Sequence, residues 1–258
     1  MPIYIDQLGR SVELKKAPQR IVSAVPSLSE LIVDLGAEQR LVGITSWCVH
    51  PTNLLLDKKV IGGTKNLDIS KIRSLKPDLI IANKEENPQD QIEALAKEFP
   101  VWVSDVRSLD QAFDMIAMLA KLLELENRGA NLLGELAELR KGCRASDGLS
   151  YLYFIWKDPY MVAGKDTYIS SLFDEIGMQN LAPENEERYP QLSLQSIQEL
   201  KPDRIILSSE PYSFKAVELK TFHELGMRSL LVSGELFTWY GSRIKACLKY
   251  LNNNPFNF

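Results

Sequence analysis

The sequence predicts an α/β protein of two lobes, each with a parallel-type sheet flanked by helices, joined by one long bridging helix. Three observations predict it. LKPDLII at Leu75–Ile81 returns as LKPDRII at Leu200–Ile206, 125 residues on. The flanks keep the same offset without insertion: Leu67 matches Leu192, Ile72 matches Ile197 and Glu85 matches Glu210. Such spacing marks one structural unit used twice. Short apolar runs also alternate with helix-like stretches, the pattern of a parallel sheet covered on both faces. Finally, from Ser108 to about Cys143 the pattern is almost nothing but helix, without a proline.

Each element has its own reason. Residues 3–14 predict a hairpin, YIDQ and SVEL around Leu8-Gly9-Arg10. RIVSAV (20–25) predicts a strand and PSLSELIVDLGA the helix after it. Ser27 and Glu30 have capping-box spacing, and Gly36 closes that helix. LVGIT (41–45) is the next strand. ISKIRSLKP puts Ile69, Ile72 and Leu75 at helical spacing. Lys76 suits the end of the helix dipole, and Pro77 stops the helix. DLIIA then reads as a buried strand. A helix near 88–98 and the strand VWVSD (101–105) complete the first lobe. In the helical stretch, Leu109, Phe113, Ile116, Ala120 and Leu123 form a stripe, continued by Leu132, Leu133, Leu136 and Leu139. It is too short for sustained coiled-coil heptads. LSYLYFIW (149–156) restarts the strands. TYISSLFDEIGMQN echoes SLSELIVDLGAEQR, with Leu172 and Gly177 standing like Leu31 and Gly36. Helix SLQSIQELKP, strand RIILS, strand SLLVSG (229–234) and helix SRIKACLKYLNN close the chain. The lobes are expected at 1–126 and 146–258, the bridging helix at 127–145, and a ligand cleft between the lobes.

Composition excludes several classes. The 258 residues are 45% hydrophobic and 25% charged, with net charge −4 and no basic tract, so nucleic acid is not an expected partner. No segment approaches the ~20 apolar residues of a membrane span. MPIYIDQLGRSVEL has no apolar leader core, so the reading is a cytoplasmic chain, with a periplasmic or membrane-anchored one as the alternative if a leader has been removed. Cys48, Cys143 and Cys247 fit no zinc or disulfide spacing and are expected as reduced thiols. Enzyme motifs fail: G-x-S-x-G and G-x-G-x-x-G are missing. Gly164-Lys165-Asp166-Thr167 hints at a phosphate loop, but Pro159 replaces its first glycine and Asp166 its Ser/Thr. His50 with Cys48 gives too few ligands for structural zinc. His223 reads as a surface-helix residue. No resident cofactor, no directly bound metal and a monomer are expected.

The loops after the strands carry the candidate site. They hold Trp47 and His50; Asn83-Lys84-Glu85-Glu86-Asn87; Trp156 with Lys157-Asp158-Pro159-Tyr160; Glu210, Tyr212 and Phe214; and Trp239, Tyr240 and Arg243. Ligands of open α/β sheets bind at the carboxyl ends of strands, where these loops lie. Trp47, Trp156, Tyr168, Trp239 and Tyr240 are the expected walls. His50, Glu85, Glu210 and Arg243 are the expected polar orienters, with Lys84 beside Glu85. A hydrolase or lyase built on His50 and Glu85 is the alternative.

The run DQLGRSVEL…APQRIVSAVPSLSELIVDLGAEQRLVGIT, continued by GG…NLDISKIRSLKPDLIIA and the second LKPD unit, resembles the helical-backbone metal-receptor family. These are the class III substrate-binding proteins that serve cobalamin and siderophore transporters. The resemblance spans nearly the whole chain. IWKDPYMVAGKDTYISSL, LSSEPYSFK and GELFTWYGSR look like a distinct subgroup. The resemblance implies two α/β lobes on one long helix and non-enzymatic binding of a corrinoid or siderophore-like chelate, which itself carries cobalt or iron. It also implies an ABC importer as partner, docked through one glutamate per lobe. Here those positions fall on Ser70 and Gln195, and neither is charged. The expectation is a chain that has left the transporter and acts as a soluble carrier or sensor.

Overall fold

The computed structural model describes residues 2–143, 148–184, 187–253 and 256, and the chain divides into two compact units. The first runs through Val106 and adds Gln111–Gly134 and Tyr240–Arg243. It opens on a hairpin of β1 (Ile3–Ile5) and β2 (Ser11–Glu13). Then come β3 (Ile21–Ser23), α1 (Pro26–Asp34), β4 (Leu41–Ile44), α2 (Leu54–Asp57) and β5 (Lys59–Val60). A small hairpin of β6 (Gly62–Gly63) and β7 (Asn66–Leu67) leads into α3 (Ile69–Leu75), β8 (Leu79–Asn83), α4 (Gln89–Ala96) and β9 (Val101–Ser104). The sheet order is β5-β4-β3-β8-β9, with every pairing parallel.

The predicted helical stretch is two helices, α5 (Leu109–Leu122) and α6 (Glu126–Lys141). The break between them holds Glu124 at φ 55, a left-handed residue that no helix continues through. Within the first unit, the Arg40 guanidinium donates to the Leu123 carbonyl at 2.7 Å and Arg128 to the Leu35 carbonyl at 3.3 Å. Helix α6 belongs to the first unit through Gly134 and to the second from Glu135. The bridging helix was expected at 127–145; α6 ends at Lys141, and position 145 lies outside the described residues.

The second unit comprises Arg107–Asp110, Glu135–Trp239 and the chain from Ile244 on. Its elements are β10 (Ser150–Trp156), β11 (Tyr160–Val162), α7 (Tyr168–Asp174), β12 (Gln179–Asn180), β13 (Gln191–Leu192) and α8 (Leu194–Leu200). β14 (Arg204–Ser208), α9 (Ala216–Glu224), β15 (Ser229–Val232), α10 (Gly234–Thr238) and α11 (Ile244–Asn252) complete it. Its sheet is mixed. β12, β10, β14 and β15 pair in parallel, while β11 and β13 add an antiparallel edge. Tyr151, Tyr153, Phe154, Phe173, Phe222 and Phe237 are fully buried around it. Among the described residues no strand pairs across the two sheets.

The repeat has one geometry in both copies. Asp68 caps α3 by accepting the Lys71 N–H at 3.0 Å, and Ser193 caps α8 by accepting the Ser196 N–H at 3.0 Å. Lys76 and Lys201 end these helices in the left-handed region, at φ 45 and 48. The helix therefore stops one residue before the proline, in a conformation that costs an L-residue roughly 1–2 kcal/mol. The next aspartate offsets that cost. Asp78 accepts the N–H groups of Gln19 and Arg20, each at 2.8 Å, which ties the start of β8 to that of β3. Asp203 accepts the N–H and hydroxyl of Ser150, at 2.8 and 2.6 Å, which ties β14 to β10. Ile72 and Ile197 are each fully buried in their unit's core.

The capping box read at Ser27 and Glu30 does not form. Pro26 starts α1 after the extended Val25, no side chain caps it, and Glu30 is engaged elsewhere. Gly36 and Gly177 do hold left-handed turns after α1 and α7, at φ 81 and 72.

Candidate functional site

In the first unit the loop after β8 is framed by two amides. Asn83 donates to the Ser104 carbonyl and hydroxyl, and its oxygen accepts the N–H groups of Glu85 and Glu86, each at 2.9 Å. Asn87 accepts the Asn83 N–H and donates to the carbonyls of Ala24 and Thr64, each at 3.0 Å. Both amides are buried, so the loop is fixed by its own backbone contacts. Glu85 is only half-buried, and its carbonyl accepts from Lys65. Lys84 is exposed and pairs with Asp105 at 2.9 Å.

The loop after β4 presents Trp47, which is 63% exposed. Its indole nitrogen lies over Gly63, where an added Cβ would stand 3.5 Å from it. Beside it the Cys48 thiol is buried and bonded to Ser29 and Thr45, and burial pushes its pKa up. His50 follows, half-buried.

Arg243 was expected as a ligand orienter. Its guanidinium is committed to Glu30 of α1 in a two-pronged pair at 2.6 and 2.9 Å, both side chains largely buried. Burial holds the Glu30 carboxyl above its ordinary value, although Arg243 and nearby His50 pull it down. The pair anchors Tyr240–Arg243 on α1, and Tyr240 is 8% exposed. Sequence windows could not reveal a partner 213 positions away.

In the second unit Trp156 ends β10 and is 41% exposed. Tyr212, in the loop after β14, meets it edge-on, with ring centroids 5.8 Å apart and planes at 67°. Glu210 accepts the Thr238 hydroxyl at 2.6 Å and lies against Gly234, where a Cβ would stand 2.2 Å from the Glu210 Cγ. Only glycine fits there. Tyr168 and Trp239, expected as walls, are 5% and 9% exposed, because Tyr168 opens α7 against the core and Trp239 caps α10. Trp47 and Trp156 are thus the expected wall residues that present an open ring. Glu218, unremarked in the sequence, proves central to the Trp156 corner. It stands three residues past Lys215, the N-cap of α9, a spacing that could have marked it.

Among the described residues no cluster of three or more His, Cys, Asp or Glu could hold a metal ion, and no helix is long and apolar enough to cross a membrane.

The fold is thus two α/β units with open rings at strand carboxyl ends, and it belongs with proteins that bind small molecules. Residues 21–226 match the periplasmic binding protein family, and the chain belongs to it. It is similar to a vitamin B12-binding protein of Pectobacterium carotovorum, 25% identical over 88% of this chain and 84% of that one. It is also similar to an uncharacterized ABC transporter substrate-binding lipoprotein of Bacillus subtilis, 28% identical over 84% and 72% of the two chains. The periplasmic vitamin B12-binding protein of Vibrio cholerae shares its fold, with a TM-score of 0.78 at 22% identity, covering 92% and 96% of the two chains. Substrate-binding proteins of ABC transporters bind small molecules, dock to an importer and are not enzymes. The hydrolase or lyase reading on His50 and Glu85 is therefore overturned.

Proposed function

We propose that the ligand is a flat metal chelate, a corrinoid before others, and that Trp47 in the first unit and Trp156 in the second are each a ring surface for such a ligand. The observation that carries this is the pair of open indoles at strand carboxyl ends, Trp47 in the loop after β4 and Trp156 as the last residue of β10. A stacked ring is worth about 0.5–1.5 kcal/mol beyond the area it buries. The vitamin B12-binding name of the Pectobacterium relative supports the choice. Cobalt or iron would arrive with the ligand. Half-buried His50 and Glu85, on the loops after β4 and β8, are the polar groups we assign to orient it on the first unit. The test is the absorption spectrum of protein purified from its native host, with native mass spectrometry of what it carries. A coloured corrinoid or iron chelate is expected. Colourless protein that also ignores cyanocobalamin, haem and ferric siderophores contradicts the reading.

We also infer that engagement of an importer is weak at the positions where the resemblance places docking glutamates. Ser70 is exposed and its hydroxyl donates to Asp68 at 2.7 Å; Gln195 is exposed and donates to Glu199 at 2.8 Å. Losing one partner of a charge pair costs about 2–5 kcal/mol, so two losses at the low end weaken docking by about three decades. In reconstitution with an importer encoded nearby, the Ser70→Glu, Gln195→Glu double variant is expected to gain docking. Ligand-dependent stimulation of ATP hydrolysis by the unmodified protein would end this idea.

A further inference from the structure

One carboxylate in the second unit gathers three donors, two from the loop between β14 and α9 and one from the residue after β10. Glu218 lies in the first turn of α9 and is 6% exposed. Its Oε2 accepts the Lys215 N–H at 3.0 Å and closes the start of the helix. Its Oε1 accepts from Lys157 Nζ at 3.1 Å and from the Tyr212 hydroxyl at 3.5 Å. Lys157 is the residue after Trp156, and Tyr212 is the ring that meets Trp156 edge-on. Tyr212 is held further by its N–H to the Ile155 carbonyl, 3.2 Å, and by the buried ring of Phe214, 4.7 Å away. The exposed indole therefore stands on a corner whose two neighbours share one buried anchor. A buried carboxylate is tolerated when donors meet it, and here both oxygens are engaged. Burial alone would raise the Glu218 pKa, but the Lys215 and Lys157 hydrogen bonds bring it below its ordinary value. The same bond raises that of Lys157. Both shifts describe a carboxylate facing an ammonium, with the charge of the lysine cancelled beside the ring.

We infer that Glu218 is the positioning and charge-setting residue of the Trp156 surface. It acts through Tyr212 and Lys157, which it fixes, and leaves a flat face beside which the Lys157 charge is paired. Such a face favours a corrinoid with amide side chains over one with carboxylates. This rests on the corrinoid reading above. Freeing Lys157, which is half-buried, would supply an unpaired ammonium to a ligand carboxylate. A pair of that kind is worth up to about 1 kcal/mol, or about fivefold.

The experiment compares Glu218→Gln and Lys157→Met with the unmodified chain, using cyanocobalamin and its side-chain carboxylic acid as probes. In Glu218→Gln the affinity ratio should move about fivefold toward the acid. Lys157→Met keeps the helix cap and should not move the ratio toward the acid. Fluorotryptophan NMR, with the Trp156 signal assigned by Trp156→Phe, should show that signal shifted in both variants and the other tryptophans unmoved. An unmoved Trp156 signal in Glu218→Gln overturns the positioning role. A ratio that moves equally in Lys157→Met overturns the charge role. If the unmodified chain binds neither probe, the corrinoid reading fails and takes the charge role with it, while the NMR signal still decides positioning.

Discussion

The two copies of the helix–strand unit, Leu67–Glu85 and Leu192–Glu210, share a backbone and diverge where the strand ends. Up to β8 and β14 the copies use interchangeable chemistry: Asp68 or Ser193 as cap, a left-handed lysine, an aspartate that ties down a neighbouring strand, a buried isoleucine. Past the strand the first copy builds its loop from buried amides, Asn83 and Asn87. The second builds it from a hydroxyl and rings, with Ser208 accepting from Tyr153 at 3.1 Å and Tyr212 packed on Phe214. The repeated part is demanded by folding, and the divergent part is where a ligand can be read.

Breaking the shared part should cost most. Ile72→Ala and Ile197→Ala each remove a fully buried side chain, and each should lose about 2–5 kcal/mol in thermal or denaturant unfolding. A large loss in one copy and none in the other would mean that the copies do not carry equal structural weight. A smaller effect is expected at Asp203. The hydrogen bonds from Ser150 hold the Asp203 carboxyl below its ordinary range. Its contribution is therefore full above the unfolded value of about 3.9 and is lost as pH falls through the folded value. Asp203→Ala should cost about 1 kcal/mol near neutrality. Its melting temperature should converge on that of the parent as pH drops below about 4. A gap that does not shrink as pH falls through the folded value would assign the loss to packing.

How much of this was legible in the sequence follows the same division. Matched flanks around LKPD exposed the repeat, because caps, turns and buried positions recur at fixed offsets. The alternation of strands and helices gave the α/β class. The two- and three-residue strands β5, β6, β7, β11, β12 and β13 were not legible, since such short runs carry no periodicity. Nor was the fate of Glu30. Its spacing from Ser27 suggests a cap, yet Pro26 starts the helix and Arg243 takes the carboxylate. Rings were legible as a set and not one by one. Tyr168, Trp239 and Tyr240 are packed in protein, while Trp47 and Trp156 stand open, a distinction that tertiary contacts alone decide.

The central claim is that the open rings serve binding and not folding. Titration of cyanocobalamin into the unmodified chain, Trp47→Ala and Trp156→Ala tests it most directly, with melting temperatures taken on the same samples. The loss of a stacked and buried ring should weaken binding at least about tenfold in each variant. Unfolding free energies should stay within about 0.5 kcal/mol of the parent for exposed Trp47. Unchanged affinity in both variants, or a loss of binding that only tracks a loss of stability, would contradict the account.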